Sequence, residues 1–190
     1  MRRPRNFIGP AGMGGLVSLW GQSSLIRSVQ SGAITLTDAL SSATATVTAV
    51  DLPNSRLRFL GQTNDDYTSF PSQGLSKIVL TNATTITANV ISNQNAGKLH
   101  VVNWELVEYA PGVIKSVQRG TITNAAESAT ITAVDTAKTS TDYLGNTDTG
   151  GGLAMSCMTR LILTNATTVT VSSVIPSNTQ LTSYQAVEWF

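Results

Sequence analysis

The sequence predicts an all-β protein: two tandem, similar antiparallel β-sandwich or barrel domains behind an extended N-terminal arm. Three observations predict it. Five sequence blocks occur twice in the same order. Within the blocks, small apolar residues alternate with threonine at the period of a half-buried strand. No window carries an amphipathic helical pattern, and threonine, branched at Cβ, disfavours helix. The parts follow as an arm over residues 1–24, a first domain over 25–110 and a second over 111–190.

Arg2, Arg3 and Arg5 give the arm a charge of +3, leaving nine basic against eleven acidic residues in the rest of the chain. Between Phe7 and Gly15, Pro10 and four glycines break helix and strand alike. The same residues interrupt the apolar stretch that a signal peptide needs, and no small-x-small cleavage site follows. A frayed terminus is the plain alternative. The sharper expectation is an arm that orders on a partner, with Phe7, Leu16, Leu19 and Trp20 as apolar contacts beside the three arginines.

The repeat is explicit. Ile26-Arg27-Ser28-Val29-Gln30 returns as Ile114-Lys115-Ser116-Val117-Gln118, and Ala45 to Asp51 returns as Ala129 to Asp135. Phe59-Leu60-Gly61 matches Tyr143-Leu144-Gly145, and Leu80 to Thr87 matches Leu163 to Thr170. Trp104-Glu105-Leu106-Val107-Glu108-Tyr109 aligns with Tyr184-Gln185-Ala186-Val187-Glu188-Trp189. The offset shrinks from 88 to 84, 83 and 80 along the chain, so the deletions fall between blocks, where loops belong. Ala110-Pro111-Gly112 is a short, stiff joint between the copies. Domains of this size have little core of their own, so burial against each other or against other chains is expected.

Each copy reads as about six strands. Ala45, Val47 and Ala49 alternate with threonines over Thr44 to Val50, predicting a strand with the alanines and valine inward. Ile86, Ala88 and Val90 form one face of another strand, and Val102, Trp104 and Leu106 one face of the longest. Thr81-Asn82-Ala83-Thr84 predicts a turn, because Asn tolerates positive φ and can bond its own downstream backbone. The same residues, and Asn165-Ala166-Thr167, also spell glycosylation sequons, which would need a secretory route. Gly61 and Gly145 are expected to end a strand or permit a bulge.

The composition excludes several classes. A formal charge of +1 gives no general drive towards nucleic acid or an anionic membrane. One cysteine allows neither an intrachain disulfide nor a Cys-based zinc site. Charged residues make up 12% of the chain, and Ser with Thr about a quarter.

Candidate chemistry is sparse. His100 is the single imidazole and reads as structural or surface. Cys157 reads as a small buried hydrophobe, with only Arg160 near in sequence to lower its pKa. Asp65, Asp66 and Asp148 read as polar loop residues ahead of calcium or acid–base work. Asp51 and Asp135, matched at strand ends, are expected to cap turns. The glycines from Gly9 to Gly15 lack the strand and the Gly-Lys-Ser/Thr ending of a phosphate cradle. No catalytic residue, metal site or cofactor is expected.

The unit Ile-Lys-Ser-Val-Gln-Arg-Gly-Thr-Ile, then Ala-Thr-Ile-Thr-Ala-Val-Asp, Leu-Thr-Asn-Ala-Thr-Thr-Val-Thr and an aromatic-Glu-x-Val-Glu-aromatic ending resembles small β modules of tailed-bacteriophage virion structural proteins. The resemblance spans residues 25–190 and is closest from Val113 to Phe190. The first copy departs from it by an insertion around Thr37 to Ser42 and a longer loop at Gln94 to Gly97. It implies a non-enzymatic exterior component of the particle, associated with tail or fibre or decorating the capsid, and assembled in the host cytoplasm. It implies no functional residues. The expected partners are other copies of the chain, three of which would present six similar domains, and neighbouring virion proteins reached by the arm. Membrane and nucleic acid are not expected as partners. The alternative from another class is a glycan- or receptor-binding adhesin module, with Tyr67, Phe70 and Tyr143 as stacking candidates, although Tyr143 matches Phe59 and so reads better as core.

Overall fold

The computed structural model describes residues 24–37, 40–65, 75–90, 99–123, 126–148, 159–173 and 180–190. The first half supplies β1 (Ile26–Thr37), β2 (Ser42–Thr46), β3 (Ser55–Asn64), β4 (Ser76–Asn82), β5 (Thr85–Val90) and β6 (Leu99–Tyr109). The second supplies β7 (Ile114–Thr123), β8 (Ser128–Thr130), β9 (Thr139–Asp148), β10 (Thr159–Asn165), β11 (Thr168–Ser173) and β12 (Gln180–Trp189). The fold is all-β. Among the described residues the helical content is two 3-10 turns, Leu52–Asn54 and Thr136–Lys138.

All strand pairs are antiparallel. In the first half β6 lies between β1 and β3, and β5 between β2 and β4. In the second half β12 lies between β7 and β9, and β11 between β8 and β10. The registers correspond as well: Gly32 faces Trp104, and Gly120 faces Tyr184. The halves are joined where Lys77 of β4 pairs with Gly145 of β9, which makes β2-β5-β4-β9-β12-β7 one six-stranded sheet.

Period-two burial explains why these segments are strands. Ile86, Ala88 and Val90 point inward from β5, and Val102, Trp104 and Leu106 from β6. With Ile34, Leu36, Leu57, Ile78 and Leu80 they form one core between the two layers of the first half. Ile122, Val169, Val171, Tyr184 and Ala186 form a second. Leu144, from the second half, packs into the first core. Gly32 and Gly120 are required by the aromatics across from them. A Cβ at Gly32 would lie 2.9 Å from the Trp104 ring, and one at Gly120 2.8 Å from that of Tyr184.

Both turn expectations are met by the side-chain bond. Asn82 Oδ1 accepts from the Thr84 amide at 2.9 Å, and Asn165 Oδ1 from the Thr167 amide at 2.9 Å. Neither uses positive φ; among the described non-glycine residues that belongs to Glu127, at 55°. Gly61 and Gly145 do, at φ 113° and 91°, and both sit at register shifts where β3 and β9 bulge against β6 and β12.

The strand expected over Thr44 to Val50 needs correction. The ladder ends at Thr46, and Ala49 is exposed while Val47 and Val50 are buried. The ladder stops because its partner β5 begins at Thr85; beyond it the Val47 and Val50 amides bond the Thr84 and Ala83 carbonyls of the turn at 2.9 and 3.0 Å. Gln30 of β1 holds Thr48 between them, donating to its carbonyl at 3.0 Å and accepting from its amide at 2.7 Å. Gln118 holds Thr132 in the same way, at 2.9 and 2.6 Å. The joint between the halves is a turn, with the Val113 amide on the Ala110 carbonyl at 3.3 Å and Gly112 at φ 85°. Ala110 also donates to the Leu25 carbonyl at 2.9 Å, and Phe190 to that of Val113 at 3.3 Å.

Candidate functional site

Much of what the sequence singled out lies outside the described residues: the arm with Arg2, Arg3, Arg5, Phe7, Leu16, Leu19 and Trp20, and also Asp66, Tyr67, Phe70 and Cys157. His100 is described and buried, opposite Leu36 on β1 and Asn64 on β3. Asp65 sits at the end of β3, and Asp148 is buried at the end of β9. Among the described residues no three His, Cys, Asp or Glu side chains gather as a metal site would need, and no helix is long and apolar enough to cross a membrane.

Asp51 and Asp135 stand at the starts of the two 3-10 turns. Asp135 Oδ1 accepts from the Ala137 amide at 3.0 Å. In the first half that position is Pro53, which has no N–H, so Asp51 accepts from the Asn54 side chain at 2.7 Å instead. Each turn is tied to a glutamate near the end of the long central strand, Glu188 buried and Glu108 half-buried. Glu188 accepts from Lys115 at 2.7 Å, Ser116 at 3.1 Å and the Asp135 amide at 2.9 Å. These bonds, the one from Lys115 foremost, hold its carboxyl below the usual range. Glu108 repeats the pattern with Ser28 and the Asp51 amide, both at 3.3 Å, and Arg27 at 3.6 Å. These matched groups brace the fold.

Unmatched groups gather at the junction between the halves. Arg56 of β3 makes two bonds to Asp142 of β9, at 2.8 and 2.5 Å, and the carboxylate holds its guanidinium above the ordinary value. Its cation also lies 5.8 Å from the Trp189 ring centroid. Gln185 of β12 donates to Asp142 at 3.1 Å and accepts from the Leu57 amide at 3.3 Å. Arg119 of β7 donates to Gln185 at 2.8 Å and to the Ser55 carbonyl at 2.6 Å, and its bonds to the Leu52 carbonyl are 3.3 Å. Burial pushes its guanidinium down to about 10, so it stays charged at neutral pH. Two matched aromatic pairs meet edge to face here, Phe59 with Tyr143 at 6.2 Å and Tyr109 with Trp189 at 5.3 Å. Tyr143, offered as a sugar-stacking candidate, is half-buried in this contact and donates to Asn146 at 2.6 Å.

Beside this polar network, β4 lies against the outer face of β9-β12-β7, the face turned away from the second core. Val79 and Leu80 close over Arg119, Gly120, Leu144 and Ser183, leaving a cavity of about 110 Å³. The first half carries the corresponding face on β1-β6-β3. There Ser31, Gly32, Leu60 and Asn103 surround an open depression of about 430 Å³.

Sequence reasoning passed over Arg56, Arg119, Asp142 and Gln185. The signal that would have found them is disagreement between the copies. Ser31 stands where the second copy has Arg119, Glu105 where it has Gln185, and Arg58 where it has Asp142. Comparison of the chain with protein-family models, curated proteins and solved structures gives no match.

Proposed function

We propose that this chain is a non-enzymatic structural component of the exterior of a tailed-bacteriophage particle, a homo-oligomer fixed to a neighbouring virion protein through residues 1–24. The observation that carries the reading is the repeated unit with its junction: one unit's sheet face is covered by the other unit's edge strand, as in a building block. The likeness of the repeat to phage β modules supports the setting. The abundance of threonine and the low charge suit a stiff, protease-resistant exterior. The arm, rich in arginine and large apolar residues, supplies the chemistry of an anchor. Two measurements test this on the full chain. Native mass spectrometry is expected to find a homo-oligomer without added ligand. Gold-labelled antibody is expected to decorate the outside of intact particles. A chain that stays monomeric and never labels particles would refute the proposal.

A further inference from the structure

We propose that the outer face of β1-β6-β3 is the docking site for the β10 edge of a second copy of this chain, so that copies join head to tail. The inference rests on the building-block reading above and names the contact through which the blocks assemble.

The molecule contains its own precedent. Within one chain, β4 docks on the outer face of β9-β12-β7: Lys77 pairs with Gly145, and Val79 and Leu80 cover Leu144. Both partners in that contact have counterparts that the described residues leave unused. On the receiving side, Leu60 and Gly61 replace Leu144 and Gly145. Leu144 is 1% exposed and Leu60 50%. A Cβ on Gly145 would run into the Ser76 carbonyl oxygen and lie 2.8 Å from Lys77 Cα, whereas one on Gly61 meets nothing within 4 Å. Gly61 still holds φ at 113°, so the bulge that admits an edge strand is built with none of the described strands against it. Val29, 56% exposed on β1, extends the same apolar face.

On the donating side, Arg160-Leu161-Ile162-Leu163 replaces Lys77-Ile78-Val79-Leu80. Strand β10 is the terminal strand of β10-β11-β8, whereas β4 is paired on both sides, with β5 and β9. Leu163 is partly exposed where Leu80 is buried. The docked arrangement would pair Arg160 with the partner's Gly61 and lay Ile162 and Leu163 over the partner's Leu60.

A face on one copy against an edge on the next is a heterologous contact. It propagates until the rotation closes into a ring. The polar part of the internal junction does not carry over. Arg58 is held by Glu105 of its own sheet at 2.7 Å, and Ser31 replaces the buried Arg119. The contact between copies is therefore weaker than the internal one, and assembly depends on concentration.

The test uses full-length chains carrying Leu60→Arg, which spoils the face, or Ile162→Lys, which spoils the edge. Sedimentation velocity is expected to find each variant alone at the mass of one chain. An equimolar mixture is expected to run at the mass of two, because each chain keeps the surface that the other lacks. Circular dichroism checks the fold. Should either variant misfold, disulfide capture replaces it: in a Cys157→Ser background, Leu60→Cys chains are mixed with Ile162→Cys chains. A covalent heterodimer that neither chain forms alone is then expected. Variants that keep the wild-type oligomer, or thiols that fail to couple across chains, overturn the docking and leave the building-block reading standing. A wild-type chain that is monomeric at every concentration overturns both.

Discussion

Alanine at Gly145 and alanine at Gly61 are the same substitution at matched bulges, and the structure separates their effects. Both glycines hold positive φ, 91° and 113°, where an alanine is strained by about 1 to 3 kcal/mol. At Gly61 that strain is the whole effect in a monomer, since a Cβ there meets nothing within 4 Å. At Gly145 the Cβ also collides with the Ser76 carbonyl oxygen and approaches Lys77 Cα, and backbone atoms cannot rotate out of the way. Strand β4 must withdraw, partly uncovering Leu144 and Leu80, each worth roughly 1.5 to 3 kcal/mol when fully buried. Gly145→Ala is therefore expected to lose about 3 to 5 kcal/mol, and Gly61→Ala about 1 to 3. Urea denaturation read by tryptophan fluorescence, on samples dilute enough to exclude assembly, measures both. Equal losses would refute the claim that β4 is seated on Gly145 and that none of the described residues is seated on Gly61.

Four further outcomes are expected. Arg119→Met removes the donors to the carbonyl of Ser55, a residue with no solvent exposure, and should lower stability by about 1 to 3 kcal/mol in denaturant titrations. Glu188 has a folded pKa below the unfolded value of about 4.3, so its stabilisation is complete above that pH and disappears as pH falls through the lower folded value. Glu188→Gln should accordingly flatten the acid limb of a plot of Tm against pH. Asp135→Ala loses a turn-capping bond and should cost about 0.5 to 2 kcal/mol, with Asp51→Ala costing less because Pro53 offers it no amide. Deleting residues 1–24 should leave a folded protein that no longer joins particles; full occupancy by the truncated chain would exclude the arm as the anchor.

What was legible in the sequence was what local chemistry decides. The inward faces of β5 and β6 follow from alternation at Ile86, Ala88 and Val90 and at Val102, Trp104 and Leu106. The Asn82 and Asn165 turns follow from a side chain that reaches two residues ahead. The end of β2 at Thr46 was not legible, because it is set by where the partner strand begins, at Thr85, far along the chain. The junction was hidden for the same reason on a larger scale. Arg56 meets Asp142 across 86 residues, and Leu57 meets Gln185 across 128. Propensity and periodicity carry no record of such pairs, although the mismatches between copies at Ser31, Arg58 and Glu105 mark where one unit meets the other.

The short turn between the halves also fixes where the chain enters and leaves. The Leu25 carbonyl is bonded to Ala110 and the Phe190 amide to Val113, so the root of the arm and the last residue emerge side by side. A reporter or cargo domain fused after Phe190 would thus emerge beside Leu25. Payloads meant for display belong at the Asn82 or Asn165 turns, whose asparagines are exposed.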